Sequence, residues 1–359
     1  MPLLARTLLT PLTIEISAGA IGRLGEVLAD RRITGAGEVA VVLGNGIGGE
    51  LDEAVAAALP RGDIKHIQGG TLEAAQQLAE DLKTQSYDAV VGIGGGRVLD
   101  TVKYAATQKG MPMVAVATSL AHDGLASPVS SLVRGGHSIS YGVHTPIAVI
   151  VDLDMVARSP LYQIQSGIGD AISNLCSTAD WQLSNAATGE PVDGLALALA
   201  LSGAEAVVNH PGQTTDQDFL AALANALILG GISMAVAGSS RPASGACHEI
   251  SHALTEIYPD AASHGIGAGL GALFATYIRA RSTSDEAVMR TFHRLGAAMQ
   301  RHGLPRTPAE IGLTVEQFAS VIEYAPATRP GRFTILEHLN LDAAAIAVAV
   351  KECTDALPS

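Results

Sequence analysis

At 359 residues the chain exceeds what one hydrophobic core ordinarily serves, so two domains are expected. A formal net charge of −13 sets it against nucleic-acid backbones and anionic membranes and excludes those partners. Its three cysteines, Cys176, Cys247 and Cys353, are too few and too unevenly numbered for a disulfide framework and fit a reducing, cytoplasmic setting.

Near the N-terminus Arg6 and several leucines begin like a signal peptide, but Pro11 and Glu15 interrupt the apolar run. Short apolar runs at 39–43, 89–93, 113–117 and 147–151 read as strands, and helical patterns at 72–82 and 99–106 lie between them. Strand, glycine turn, helix and strand in alternation predict a parallel sheet with helices on its faces. From about Ser159 the texture changes to Ala- and Leu-rich segments at 195–208, 219–237, 267–280 and 343–350, none of which alternates like a strand. The predicted organisation is a Rossmann-like α/β dinucleotide-binding domain, residues 1–158, followed by an all-α metal-binding and substrate domain, residues 159–359. Residues 219–238 are as long as a membrane span, but Asn225, Gly230, Gly231 and Ser233 and the lack of a flanking basic cluster favour a buried helix.

Three glycine or polar loops follow predicted strands. Gly94-Gly-Gly-Arg-Val-Leu-Asp100 leads directly into a helix, where free backbone amides can receive a phosphate and glycine removes the Cβ atoms that would obstruct it. Gly44-Asn-Gly-Ile-Gly-Gly49 matches G-x-G-x-x-G, a weak signal alone, and serves equally as a plain turn. Thr118-Ser-Leu-Ala-His-Asp-Gly-Leu-Ala-Ser-Pro128 carries hydroxyls and a carboxylate suited to ribose, nicotinamide or substrate, and equally to capping a turn.

Asp170, His248 and His264 together offer one carboxylate and two imidazoles, a donor set that suits Zn²⁺ and leaves a position open, although spacing alone leaves structural histidines an equal reading. Asp170 is expected near the start of one helix, His248 on a second and His264 at the start of a third. His248-Glu-Ile-Ser-His252 also matches the zinc-protease pattern H-E-x-x-H, with Glu249 as its base. Thr255 and Tyr258 stand where the extended motif needs its glycine and third histidine, and a protease has no use for the glycine loops.

These segments, with Gly169-Asp170, Asn174, Asp180-Trp181 and Thr328-Arg-Pro-Gly-Arg-Phe-Thr-Ile335, resemble the glycerol-1-phosphate dehydrogenase family, within the iron-containing alcohol dehydrogenase and dehydroquinate synthase-like superfamily. The resemblance runs from about residue 39 to 339. It implies a dehydroquinate synthase-like fold with NAD or NADP in the cleft, contacted by Gly95, Gly96, Thr118, Ser119 and Ser127. Gly94 and Asp100, the ends of that loop, join the expected cofactor contacts. It implies that Asp123 and His252 touch substrate, and that Asp170, His248 and His264 hold a metal, normally Zn²⁺, with Fe²⁺ or Ni²⁺ as variants. The implied activity is metal-assisted hydride transfer between NAD(P)H and a small phosphorylated ketone or polyol, dihydroxyacetone phosphate and glycerol 1-phosphate. His252, Arg329 and Arg332 are candidates for the phosphate end. Asn45 neither pairs the adenosine ribose hydroxyls as an acid would nor repels a 2′-phosphate, so use of both cofactors is expected. A homo-oligomer, dimer or larger, suits the Ala- and Leu-rich helices. Two departures stand out: Cys247 replaces the Glu that commonly precedes the first metal histidine, and Ile266 replaces the Glu of His-Gly-Glu. They keep open a reductase of another small ketone, polyol or sugar phosphate, as well as a dehydroquinate synthase-like cyclase or an inactive scaffold.

Overall fold

The computed structural model describes residues 10–35, 37–45 and 49–357. The chain divides into two units, Met1–Pro160 and Leu161–Ser359.

The first unit holds β1 (Thr13–Ser17), α1 (Leu24–Leu28), β2 (Glu38–Gly44), α2 (Gly49–Ala58), β3 (Gly62–Ile67), α3 (Leu72–Asp81), β4 (Tyr87–Gly94), α4 (Gly96–Lys109), β5 (Met113–Ala117), β6 (Val129–Arg134), β7 (His137–Gly142), β8 (Ala148–Asp152) and α5 (Leu153–Arg158). Six strands form a parallel sheet in the order β1-β8-β5-β4-β2-β3, and β6 and β7 form a separate antiparallel hairpin. The four predicted strands are the inner ones, whose side chains are buried on both faces and so read as continuous apolar runs. β1 and β3 lie at the edges, where partial exposure dilutes that signal. On one face Val39, Val41, Leu43, Val91, Ile93 and Val116 pack with Leu24, Leu51 and Val55 of α1 and α2. On the other face a Cβ at Gly92 of β4 would meet Val102 of α4 at 3.1 Å, so a glycine here lets the helix lie directly on the sheet. Chain order reverses at β2 and β4, whose carboxyl ends therefore flank the crevice in which open α/β sheets bind ligands.

The second unit is all-helical: α6 (Leu161–Thr188), α7 (Gly194–Asn209), α8 (Gln217–Ala237), α9 (Ala246–Ile257), α10 (His264–Thr283), α11 (Glu286–Arg301), α12 (Val315–Tyr324), α13 (Ile335–Leu339) and α14 (Ala343–Asp355), with short 3₁₀ turns between some of them. α8 is the one helix among the described residues long and apolar enough to cross a membrane, and 72% of its most apolar window is buried. The expectation that Asp170 stands near a helix start is corrected: it lies well inside the 28-residue α6. Gly167 and Gly169 resemble a helix start in sequence, but the second serves packing. A Cβ at Gly169 would lie 2.2 Å from the carbonyl oxygen of Gly265, and one at Gly265 only 1.9 Å from that of Ser166. On α10, Gly267 and Gly271 meet α9 in the same manner, at Ser251 and Cys247. Alternating glycines thus let α10 touch α6 on one side and α9 on the other almost backbone to backbone.

His302 ends α11 with its ring stacked on Phe219, centroids 4.4 Å apart, and both ring nitrogens without a partner at 4% exposure. Burial, then the charges of Arg301 and His210, push its pKa down to about 4. The unfolded value is about 6.5, so stability is complete above that pH and is lost as pH falls toward 4. His302→Leu is therefore expected to unfold about 1 kcal/mol harder at pH 7.5, because no orphaned polar group remains. That advantage should widen toward pH 4.5 in denaturant titrations, and an advantage that does not change with pH would contradict the assignment.

Candidate metal centre and nucleotide loops

In the first unit, β4 runs into Gly94, and Gly95 caps α4 without a side-chain hydrogen bond, leaving the amides of the first turn to an incoming anion. Each glycine of the loop sits where a Cβ would collide: Gly94 with Val98 at 2.8 Å, Gly95 with Ser119 Oγ at 2.8 Å and Gly96 with His122 Nε2 at 2.1 Å. The Thr118 amide donates to the Gly94 carbonyl at 3.1 Å, which joins the loops after β4 and β5. Thr118 is partly exposed while Ser119 and Ser127 are buried. Asp123 opens a 3₁₀ turn, capped by His122 Nδ1, which accepts from the Gly124 amide at 3.0 Å.

Asp100, expected among the cofactor contacts, is held inside the unit. It is 4% exposed, pairs with Lys103 Nζ at 3.1 Å and accepts from the Ser131 amide at 3.1 Å. Lys103, fully buried, also donates to the carbonyls of Gly124 and Val129 and, at 3.4 Å, to that of Ser127. This ion pair binds the 124–129 loop to α4. Nothing in the sequence marks Lys103 for this role, because the run of carbonyls that satisfies it leaves no residue pattern to detect. Of the other glycine loop, Gly46, Ile47 and Gly48 lie outside the described residues, as does Arg6.

In the second unit Asp170 of α6, His248 of α9 and His264 of α10 converge, each offering a ligand atom within 4.8 Å of the others. His248 Nε2 and His264 Nε2 lie 3.3 Å and 3.7 Å from Asp170 Oδ1. Bonds of 2.0–2.1 Å in a tetrahedron give edges of roughly 3.3–3.5 Å, so the donors stand close to the spacing a zinc-like ion requires. Burial lowers the His248 pKa, but Cys247 and Asp170 outweigh it and raise the value to about 10, so the pocket favours positive charge at this point. His264 is 42% exposed at its side chain and leaves the centre open to solvent on that side.

His252, one turn beyond His248, has its ring centroid 5.8 Å from that of His264 but does not join the ligand group. Burial, then the charges of His264, Arg329 and His248, hold it neutral, with a pKa of about 2. Arg329 Nε donates to His252 Nδ1 at 3.3 Å. Arg332 donates to the Ser244 carbonyl and, at 2.9 Å, to Ser240 Oγ. Burial lowers the pKa of Arg329, and that of Arg332 to about 10 with help from Arg329 and Arg241, which still leaves Arg332 charged at neutral pH. Glu249 turns away from the three histidines: Thr334 Oγ1 donates to it at 3.0 Å, and burial, then Glu337, raises its pKa to about 8. The would-be base of the H-E-x-x-H pattern therefore faces the opposite side of α9, and the third converging donor comes from α6.

Asp180, expected only as a motif residue, organises this region. Fully buried, it accepts from the amide of Ala246 at 2.8 Å and that of Ile335 at 2.9 Å and pairs with Arg279, fixing the starts of α9 and α13 to α10.

Residues 15–160 match the family of iron-containing alcohol dehydrogenases. The chain is 35% identical to the NAD(P)+ glycerol-1-phosphate dehydrogenase of Hyperthermus butylicus over 331 residues, covering 91% of this chain and 92% of that one. It is 32% identical to the corresponding enzyme of Methanospirillum hungatei, covering 91% and 89%. Among solved structures, glycerol dehydrogenase from Schizosaccharomyces pombe superimposes with a TM-score of 0.72 at 19% identity, covering 98% of this chain and 91% of that one. A 1,3-propanediol oxidoreductase gives 0.75 at 13% identity, covering 97% and 100%. At such identities the structural likeness shows the fold.

Proposed function

The chain belongs to the glycerol-1-phosphate dehydrogenase family, and from that premise we propose that it moves a hydride between NAD(P)H and dihydroxyacetone phosphate, forming sn-glycerol 1-phosphate. The observation that carries this reading is the convergence of Asp170, His248 and His264 at metal-ligand spacing. These three would hold a divalent cation, with zinc our choice for a donor set of one oxygen and two nitrogens. When bound, the cation supplies Lewis acidity to the oxygen on the reacting carbon, and the nicotinamide supplies the hydride.

The rest falls to the chain's own groups. Gly94, Gly95, Gly96 and the first turn of α4 would seat the pyrophosphate, while Thr118, Ser119 and Ser127 order the adjoining loop beside it. His252 stays neutral and can exchange a hydrogen bond with a substrate hydroxyl without introducing charge. Neither Arg329 nor Arg332 has a carboxylate ion pair among the described residues, so both keep positive charge for a phosphate in an otherwise acidic chain. Asp123, at the start of its 3₁₀ turn, is proposed as a substrate contact. The buried free cysteines suit a cytoplasmic enzyme.

Exhaustive chelation should lower turnover of dihydroxyacetone phosphate at least about a thousandfold, since several kcal/mol of charge stabilisation is lost, and zinc should restore it. Undiminished turnover in metal-free protein would sink the mechanism. Running the same assay on unphosphorylated dihydroxyacetone separates this substrate from other small ketones, an alternative motivated by buried, apolar Ile266. Net oxidation of NAD(P)H separates a reductase from a cyclase.

A further inference from the structure

His248 presents its two ring nitrogens to different neighbours. Nε2 lies 3.3 Å from Asp170, on the side of the proposed cation. Nδ1 lies 3.4 Å from the sulfur of Cys247. A neutral imidazole that coordinates through Nε2 carries its single proton on Nδ1, and in a buried site that proton needs an acceptor. Carboxylates and backbone carbonyls commonly fill that place in metalloproteins. Here a thiol occupies it, on a residue that is completely buried.

The surroundings of the sulfur fit an acceptor. Whether as a thiol, with its S–H directed to Ser173 O 3.7 Å away, or as a thiolate, the sulfur keeps lone pairs free to accept. The sulfur lone pairs are left to face His248 Nδ1 and the Ser177 hydroxyl, the latter at 3.2 Å. The backbone of Cys247 is held firmly: a Cβ on Gly271 of α10 would lie 2.6 Å from its carbonyl oxygen. The sulfur is absent from the converging donor group.

We propose that Cys247 is a positioning residue of the metal centre: its sulfur accepts the Nδ1 proton of His248 and so fixes the tautomer and ring orientation in which Nε2 is offered to the cation. The inference rests on the reading of Asp170, His248 and His264 as ligands. A weak sulfur acceptor holds the ring mainly by direction, so its removal acts on metal affinity before anything else.

The test compares Zn²⁺ and Co²⁺ affinities, by competition with a chromophoric chelator, for the parent, Cys247→Ala, Cys247→Ser and Cys353→Ala. Cys353, on α14, is a buried thiol away from Cys247 and controls for the loss of a core sulfur. Cys247→Ala should bind both metals about 10- to 100-fold more weakly, the range found when outer partners of metal histidines are removed. Cys247→Ser, which keeps an acceptor, should recover most of that loss, and Cys353→Ala should match the parent. If Cys247→Ala does not fold, Cys247→Val, which fills the volume but accepts no hydrogen bond, takes its place. The cobalt form of the parent should lack a thiolate-to-cobalt charge-transfer band in the near ultraviolet. Parental affinity in the Ala or Val variant overturns the proposal, as does a charge-transfer band that disappears with Cys247, which would make the sulfur a ligand. A parent that binds neither metal overturns this proposal together with the metal centre itself. A parent that binds both, with Cys247 variants that bind equally well, overturns the positioning role alone.

Discussion

His264→Ala is expected to abolish stoichiometric metal binding and to lower kcat/KM for dihydroxyacetone phosphate by at least about a thousandfold while leaving the metal-free fold nearly as stable as before. The two halves of that expectation have separate grounds. His264 is a ligand candidate because its Nε2 lies 3.7 Å from Asp170 Oδ1, so its loss leaves one carboxylate and one imidazole to hold the cation. It is also 42% exposed at the first residue of α10, where little packing depends on it, so stability should change by no more than about 0.5 kcal/mol. His252→Ala supplies the contrast. It stands outside the ligand group, so metal content should remain at the parental level while kcat/KM falls. Under the H-E-x-x-H reading the pattern reverses, because His252 would then be a ligand. Metal content per chain, steady-state kinetics and thermal unfolding of the metal-free forms distinguish the two, and a His264→Ala chain that keeps its full metal complement would refute the centre as described.

The inner strands of the sheet and most of the long helices were legible because burial on both faces, or over a broad helix surface, writes an unbroken apolar run into the sequence. β1, β3 and the β6–β7 hairpin were not, because edge and exposed strands mix polar residues such as Glu15, Lys65 and Ser138 into their patterns. The donor set of Asp170, His248 and His264 was legible as chemistry but its convergence was undecided on spacing, since Asp170 and His248 stand 78 positions apart and only the tertiary fold brings them together. Position within α6 was misread for a physical reason: glycine at 167 and 169 signals a break locally, while the fold uses Gly169 for helix contact. The roles of Lys103 and Asp180 left no trace, because each acts through backbone carbonyls or amides, which every residue carries. Cys247 was visible as a departure from the family pattern, but only the direction of its sulfur reveals what it does.

The closest helix contacts lie beside the ligands, so packing and chemistry should fail together there. Gly169 precedes Asp170 and Gly265 follows His264, and a Cβ on either would lie about 2 Å from a backbone oxygen of the opposing helix, 2.2 Å and 1.9 Å respectively. No side-chain rotation relieves a clash between backbone and Cβ, so Gly169→Ala must push α6 and α10 apart by roughly an ångström. Overpacking of this kind costs about 1–3 kcal/mol. The same displacement carries Asp170 Oδ1 away from His264 Nε2, from 3.7 Å to a separation that one cation with bonds near 2 Å no longer bridges. Gly203→Ala is the matched control: its Cβ would press on Ala226 at 3.0 Å where α7 meets α8, so it should cost stability without moving a ligand. Denaturant unfolding and metal titration of both variants should therefore show two destabilised proteins, of which Gly203→Ala binds zinc like the parent and Gly169→Ala binds it at least about tenfold more weakly. Equal zinc affinity in the two would mean that the α6–α10 contact supports the fold but does not set the geometry of the centre.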